Sequence, residues 1–361
     1  MRGNSVSGKL EMSRKKYIIK IILLVFLISQ FYGFGEGNHV KIPIVYSKHY
    51  NISVFGLQRL HAFDTEKYGK VFRYLVDSVG IEERRFFKPT PVTDDELMRV
   101  HTREYLESLR RSRTIASIAE LPLLSFIPNR FLQRVILNPM RYGVGGTILG
   151  ARLAYEYGWA INLSGGYHHA KANSGEGFCF FADIPLAVYS LFRENPDLSV
   201  LIIDLDAHQG NGLESIFRED ERIYILDMYN RDIYPQDYEV KKYIDYDVQT
   251  ETGVVTDEYL SALEGILLSA FQEVNPNFVV YNAGTDIYEN DPLGSMCISK
   301  EGILQRDSMV FSLALERNIP ILMVLSGGYT MESSTIIAES IENILLNIVT
   351  DCFGDIYITV E

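Results

Sequence analysis

The sequence predicts one α/β domain with a mainly parallel central sheet flanked by helices. Three observations predict it. Short apolar runs recur at Ile42–Val45, Ala160–Leu163, Val200–Leu205, Ile223–Leu226, Phe278–Tyr281 and Ile321–Leu325, each the length of a buried strand. Longer helical patterns lie between them, among them Gly146–Tyr157, Ile184–Arg193 and Thr256–Gln272. Continuous runs rich in β-branched residues, rather than alternating ones, indicate strands covered on both faces, as in a parallel sheet. Third, four of the runs end in polar turns that hold glycine or aspartate, and ligands of open α/β sheets bind at that carboxyl edge.

The N-terminus stands apart from this pattern. Arg14-Lys15-Lys16 precede a stretch from Tyr17 to Phe34 that is apolar apart from Lys20, Ser29 and Gln30. Its strongest part, Ile21–Ile28, is shorter than the ~20 residues of a membrane span. Gly33-Phe34-Gly35 offers a small-x-small cleavage pattern. Residues 1–37 therefore read as a hydrophobic leader or short anchor, giving possible membrane contact, and residues 38–361 as the catalytic domain. An apolar helix packed on the domain, or a start codon placed too early, would give the same composition. Location follows this choice: exported or membrane-associated with a leader, cytoplasmic or nuclear without one.

The composition, 47% hydrophobic and 22% charged, is that of a globular protein, and the chain is long enough to bury a large core. A net charge of −13 opposes direct nucleic-acid binding and suits cationic partners, although acidity also serves solubility. Cys179, Cys297 and Cys352 are sparse, odd in number and without CxxC spacing. They suggest neither a disulfide framework nor a zinc finger.

The strand ends carry the chemistry. Leu163 leads into Ser164-Gly165-Gly166-Tyr167-His168-His169, and Leu205 into Asp206-Ala207-His208. Tyr281 leads into Asn282-Ala283-Gly284-Thr285-Asp286, and Leu325 into Ser326-Gly327-Gly328-Tyr329. Residues i and i+2 of a strand share a face, so Asp206 and His208 can meet one metal ion. Asp286 is the candidate third ligand, which leaves a position open as catalytic zinc requires. His168 and His169 can move protons, and the Tyr329 hydroxyl can stabilise an oxyanion. Each piece has a plainer reading: Asp204 or Asp206 as a turn residue, His168 as a satisfied core histidine, Tyr329 as a packing aromatic. Their coincidence at four strand ends favours a metal-assisted amide hydrolase. Between Tyr229 and Gln249 lies a Tyr- and Asp-rich stretch expected to be a surface loop near this site.

These motifs resemble the histone deacetylase family, of the arginase/deacetylase fold, and are most similar to its class IV branch. The specific runs are Ile203–Gly212, Asp291–Gly294 and Ser326–Tyr329. Further similarity covers Ile42–Ser47, Tyr50–Ile52, Leu60–Asp64 with Lys67, His101–Leu106, Gly145–Ile148, Gly158–Asn162 and Gly177–Cys179. The resemblance spans roughly residues 40 to 350. It implies Zn2+ held by Asp206, His208 and Asp286, with His169 as general base and acid. It also implies His168 oriented by Asp204, Asn211 as partner of His169, Gly177 and Phe178 lining an acyl-lysine tunnel, and Tyr329 on the carbonyl. A structural monovalent cation (K+) near Asp204–His208, reaching Asp227 and Met228, is a further implication. So is a taste for long acyl chains. Asn211 stands where many relatives of other branches carry an aspartate.

The implied partner is an acylated lysine side chain of a protein or peptide. Small N-acyl amines such as acetylpolyamines, and a non-catalytic acyl-lysine binder, are the alternatives. A two-manganese ureohydrolase of the same fold would want acids where Gly210 and Tyr288 stand.

Overall fold

A computed structural model describes residues 41–52 and 63–353. The expected leader over residues 1–37 lies outside the described residues. Among the described residues, no helix is long and apolar enough to cross a membrane.

Seven strands form one sheet: β1 (Ile44–Val45), β2 (Trp159–Asn162), β3 (Val200–Asp204), β4 (Ile223–Asn230), β5 (Tyr246–Thr250), β6 (Phe278–Asn282) and β7 (Ile321–Val324). Their order is β1-β2-β7-β6-β3-β4-β5, and every neighbouring pair is parallel. All six expected strands are present. The sheet alternates its side chains between two apolar layers. Leu201 and Ile203 of β3 face a core shared with helices Lys67–Asp77, Thr256–Val274, Lys300–Glu316 and Ser333–Ile344. Val200 and Ile202 face a second core against helices Asn138–Tyr157 and Asp183–Glu194. Burial on both faces is why these strands read as unbroken apolar runs.

One expectation needs correction. The stretch from Tyr229 to Gln249 is not all loop. β4 runs on to Asn230, and Tyr246–Thr250 is the edge strand β5. Tyr246 and Val248 pack toward the core while Asp247 and Gln249 are exposed. An edge strand half in water alternates polar and apolar residues, so it lacks the continuous pattern of its neighbours.

The strand order places the chemistry. β2, β7, β6 and β3 are consecutive neighbours in the sheet. The four turns singled out in the sequence follow these four strands, so parallel pairing brings all of them to one edge.

Candidate active site

Asp206 and His208 follow β3, and Asp286 follows β6 next to it. All three are buried, and one ligand atom from each lies within 4.8 Å of the others. His208 Nδ1 is 3.1 Å from Asp206 Oδ1 and 3.0 Å from Asp286 Oδ2. The outer carboxylate oxygens are occupied: Asp206 Oδ2 accepts from Ser326 Oγ and the Gly327 amide at 2.8 Å, and Asp286 Oδ1 from the Ala207 amide at 2.9 Å. Each acid is thus anchored by one oxygen and turns the other toward His208. Gly327 is required here, because a Cβ would stand 2.3 Å from Asp286 Oδ2 and 2.6 Å from Asp206 Oδ2.

Two buried carboxylates converging on one imidazole form a strongly cation-seeking site. Burial and then the neighbouring Asp206 push Asp286 up to about 7. Burial disfavours a charged His208, yet its hydrogen bonds to Asp206 and Asp286 outweigh that and hold it up at about 10. The donor set, one imidazole nitrogen and two carboxylates, fits a zinc ion with room for a further ligand.

The histidine pair lies beside this cluster. His168 Nδ1 is 2.9 Å from Asp204 Oδ2, and its Nε2 is 3.6 Å from Asp206 Oδ1. Burial opposes charge on His168, but Asp204 and Asp206 prevail and push it up to about 9. His169 Nδ1 is likewise 2.9 Å from an oxygen, but that oxygen is the neutral amide Oδ1 of Asn211. Burial and then the adjacent His168 and His208 hold His169 well below the ordinary histidine value. The two imidazoles, 4.1 Å apart by ring centroid, are therefore tuned in opposite directions.

Tyr329 follows β7 and closes the same cleft. Its ring lies 6.2 Å from that of His208 and 6.1 Å from that of Phe178. Burial, then Asp206 and Asp286, keep its phenol well above the ordinary tyrosine value, so it remains a proton donor. Gly177 and Phe178 line the cleft with His168, His169, Asp206 and Tyr329. Both have positive φ, 51° and 65°. A Cβ at Gly177 would meet His169 Cδ2 at 2.5 Å, so only glycine lets this turn lie against the imidazole. Phe178, bulky and left-handed, is a strained residue of the kind found at functional sites.

Several residues near the site have structural roles that the sequence did not assign, although Lys67 and Asp291 belong to the matching motifs. Lys67 is fully buried and donates to the carbonyls of Ser326 and Gly327 at 2.8 and 3.0 Å. Burial lowers it to about 8, against the pull of Asp286, Asp206, Asp291 and Asp64. Asp291 accepts from the Tyr329 amide at 2.7 Å and from the Leu293 and Gly294 amides, pinning the Tyr329 turn. Buried Arg306 donates to Leu205 O at 3.1 Å and Gly284 O at 2.6 Å, tying together the two turns that carry the acids. Tyr234, from the Tyr-rich stretch, stands 5.0 Å from His169 by ring centroid. Only that stretch's aromatic and acidic bias hinted at it.

Comparison with known proteins agrees with this geometry. The histone deacetylase domain model matches residues 61–345. The chain belongs to the histone deacetylase family. It is 48% identical over 304 residues to a protein of Arabidopsis thaliana named histone deacetylase 2, covering 84% of this chain and 79% of that one. An uncharacterised protein of Picosynechococcus is 30% identical over 291 residues, 80% of this chain and 92% of that one. The crystal structure of the HDA15 HD domain matches with a TM-score of 0.69 at 20% identity, covering 86% and 90% of the two chains, and shows the same fold. As a member of this family the chain is a hydrolase of the deacetylase type.

Proposed function

We propose that this deacetylase is a zinc-dependent hydrolase that removes acyl groups from Nε-acyl-lysine in proteins. The observation that carries the reading is one cleft lined by an imidazole pair tuned in opposite directions, a phenol, and Asp206 of a buried Asp206/His208/Asp286 cluster. Asp206, His208 and Asp286 would hold the zinc. When bound, the ion supplies Lewis acidity to the amide carbonyl and lowers the pKa of water toward about 7.

The side chains do the rest. His169, neutral at pH 7, accepts a proton from the attacking water as general base. Its low pKa makes its conjugate acid a ready donor to the leaving lysine amine. His168, kept protonated by Asp204, provides fixed positive charge beside the developing oxyanion. The Tyr329 hydroxyl donates to the carbonyl oxygen as negative charge grows there. Phe178 and Gly177 confine the linear lysine side chain. The products are a carboxylate and a free lysine amine.

Asn211 and the motif runs support a class IV assignment within the family. An apolar recess beside the cleft, lined by Leu121, Leu124, Ile136 and Phe180, shares Phe63, Met140 and Phe178 with it. That recess favours acyl chains longer than acetyl, because burying each further CH2 gains ~0.8 kcal/mol. A structural monovalent cation beside Asp204 and Asp227 fits the crowding of buried acids there: burial, then Asp204 and Glu214, hold Asp227 well above the ordinary carboxylate value. The leader over residues 1–37 would direct the enzyme to a membrane or out of the cell.

The test is a panel of lysine peptides carrying acyl chains of increasing length, with acetylpolyamines alongside. The reading expects chelator-sensitive release of free acid from peptides, abolished by His169→Ala. Turnover of polyamines alone would instead favour a small-amine deacylase, and tight peptide binding without release a reader.

A further inference from the structure

The proton on His169 depends on which way the Asn211 amide faces, and the structure shows what decides that. An asparagine side chain has an accepting end and a donating end of nearly the same shape. With Oδ1 toward His169, the ring nitrogen Nδ1 must carry the hydrogen, and Nε2 keeps its lone pair free. Turned over, the amide would donate to Nδ1. The ring hydrogen would then sit on Nε2, and His169 could not act as a base through that atom.

Asn211 Nδ2 donates to Glu176 Oε1 at 2.7 Å and lies 3.4 Å from Asp237 Oδ2. Ionised carboxylates only accept hydrogen bonds, so both fix the NH2 end on their side. The two acids would repel one another, but Lys171 Nζ bridges them, 3.2 Å from Glu176 Oε1 and 2.9 Å from Asp237 Oδ2. Gln209 then clamps the Asp237 segment: its Oε1 accepts from the Asp237 amide at 3.0 Å, and its Nε2 donates to the Asp237 carbonyl at 3.1 Å.

We propose that Glu176, braced by Lys171 and Asp237, is a positioning residue that holds the Asn211 amide in the orientation that places the His169 proton on Nδ1. The inference deepens the deacylase reading and rests on it for its consequence in catalysis, though not for the orientation itself. A neutral partner such as Asn211 needs this brace. An aspartate would accept from Nδ1 with either oxygen and would need none.

The experiment reads the tautomer directly. The full-length, zinc-loaded protein carries 15N in its seven histidine rings, and the His169 signals are assigned by their loss in His169→Ala. Wild type is expected to show the hydrogen on Nδ1. Glu176→Leu is expected to show a mixture or the Nε2 form, with kcat down by about tenfold or more and KM unchanged, since a hydrogen bond to a charged group is lost. Glu176→Gln, whose amide oxygen still accepts, restores both readings. In an Asn211→Asp background Glu176→Leu leaves the hydrogen on Nδ1, because either carboxylate oxygen accepts from it. Retained zinc shows that each variant is folded. The Nδ1 form persisting unchanged in folded Glu176→Leu overturns the proposal. A tautomer that shifts as expected, in a protein that turns over no acyl-lysine, overturns the substrate reading and leaves the clamp standing.

Discussion

Asn211→Asp puts the opposite tuning of the two histidines to a quantitative test. His168 and His169 both have Nδ1 2.9 Å from an oxygen, and both are buried. The oxygen beside His168 belongs to a carboxylate, and that imidazole is pushed up to about 9. The oxygen beside His169 belongs to an amide, and that imidazole lies well below the ordinary value. An amide can orient the ring but adds no Coulomb attraction for its charged form. A carboxylate in the same place stabilises the imidazolium, and a charge at this range moves a pKa by about 1–3 units, or ~1.4–4 kcal/mol. The folded pKa of His169 therefore rises in Asn211→Asp, and the acid limb of kcat/KM moves to higher pH. Glu176, 2.7 Å from the replaced amide nitrogen, complicates the size, because two carboxylates so close share some of the new charge as a proton. The Asn211→Asp/Glu176→Gln protein gives the fuller shift. NMR titration of the His169 ring alongside the rate profile makes the measurement. Stability follows with the same sign: a depressed folded pKa contributes stability that is complete above the unfolded value near ~6.5 and lost as pH falls toward the folded value. Wild type is thus expected to weaken faster than Asn211→Asp in acid melts. An unchanged ring pKa and acid limb in both variants would refute the pairing of Asn211 with His169 as the cause.

Three other substitutions probe the supports of the cleft. Tyr329→Phe keeps the ring contacts but removes the phenol donor, so kcat is expected to fall by about 10²–10³-fold with zinc stoichiometry unchanged; steady-state kinetics and metal analysis check it. Lys67→Met leaves the Ser326 and Gly327 carbonyls without their buried donor, and denaturant melts should show a loss of about 2–5 kcal/mol with weaker zinc retention. Arg306→Leu frees the Leu205 and Gly284 carbonyls and takes from the buried Asp307 its cationic partner, leaving it only the Tyr281 and Ser340 hydroxyls; a loss of about 3–5 kcal/mol is expected by the same assay.

How much was legible in the sequence depended on whether a residue's signal was local. Buried parallel strands announce themselves as runs such as Val200–Leu205, and the polar turns behind them stand out by contrast. Asp206 with His208, and His168 with His169, are neighbours in sequence, so their shared chemistry showed at once. The edge strand Tyr246–Thr250 was hidden because half of it faces water. Lys67 and Arg306 were hidden more deeply. Each lies in a helix, reaches a backbone carbonyl more than a hundred residues away in sequence, Ser326 for Lys67 and Leu205 for Arg306, and sits in a core where a lysine or arginine is not expected. Glu176, Lys171 and Asp237 look like ordinary solvated charges one at a time. They acquire a role only when the strand order sets the Asp237 segment against the Asn211 turn.

The central claim is that one zinc ion held by Asp206, His208 and Asp286 works with His169 to cleave acyl-lysine. Metal content and acid release, measured together on wild type and His169→Ala, test it most directly. The account predicts one zinc per chain in both proteins, with chelator-sensitive release of free acid from acyl-lysine peptide only in wild type. A folded wild-type protein that takes up no zinc, or a His169→Ala protein that releases acid at the wild-type rate, would contradict it.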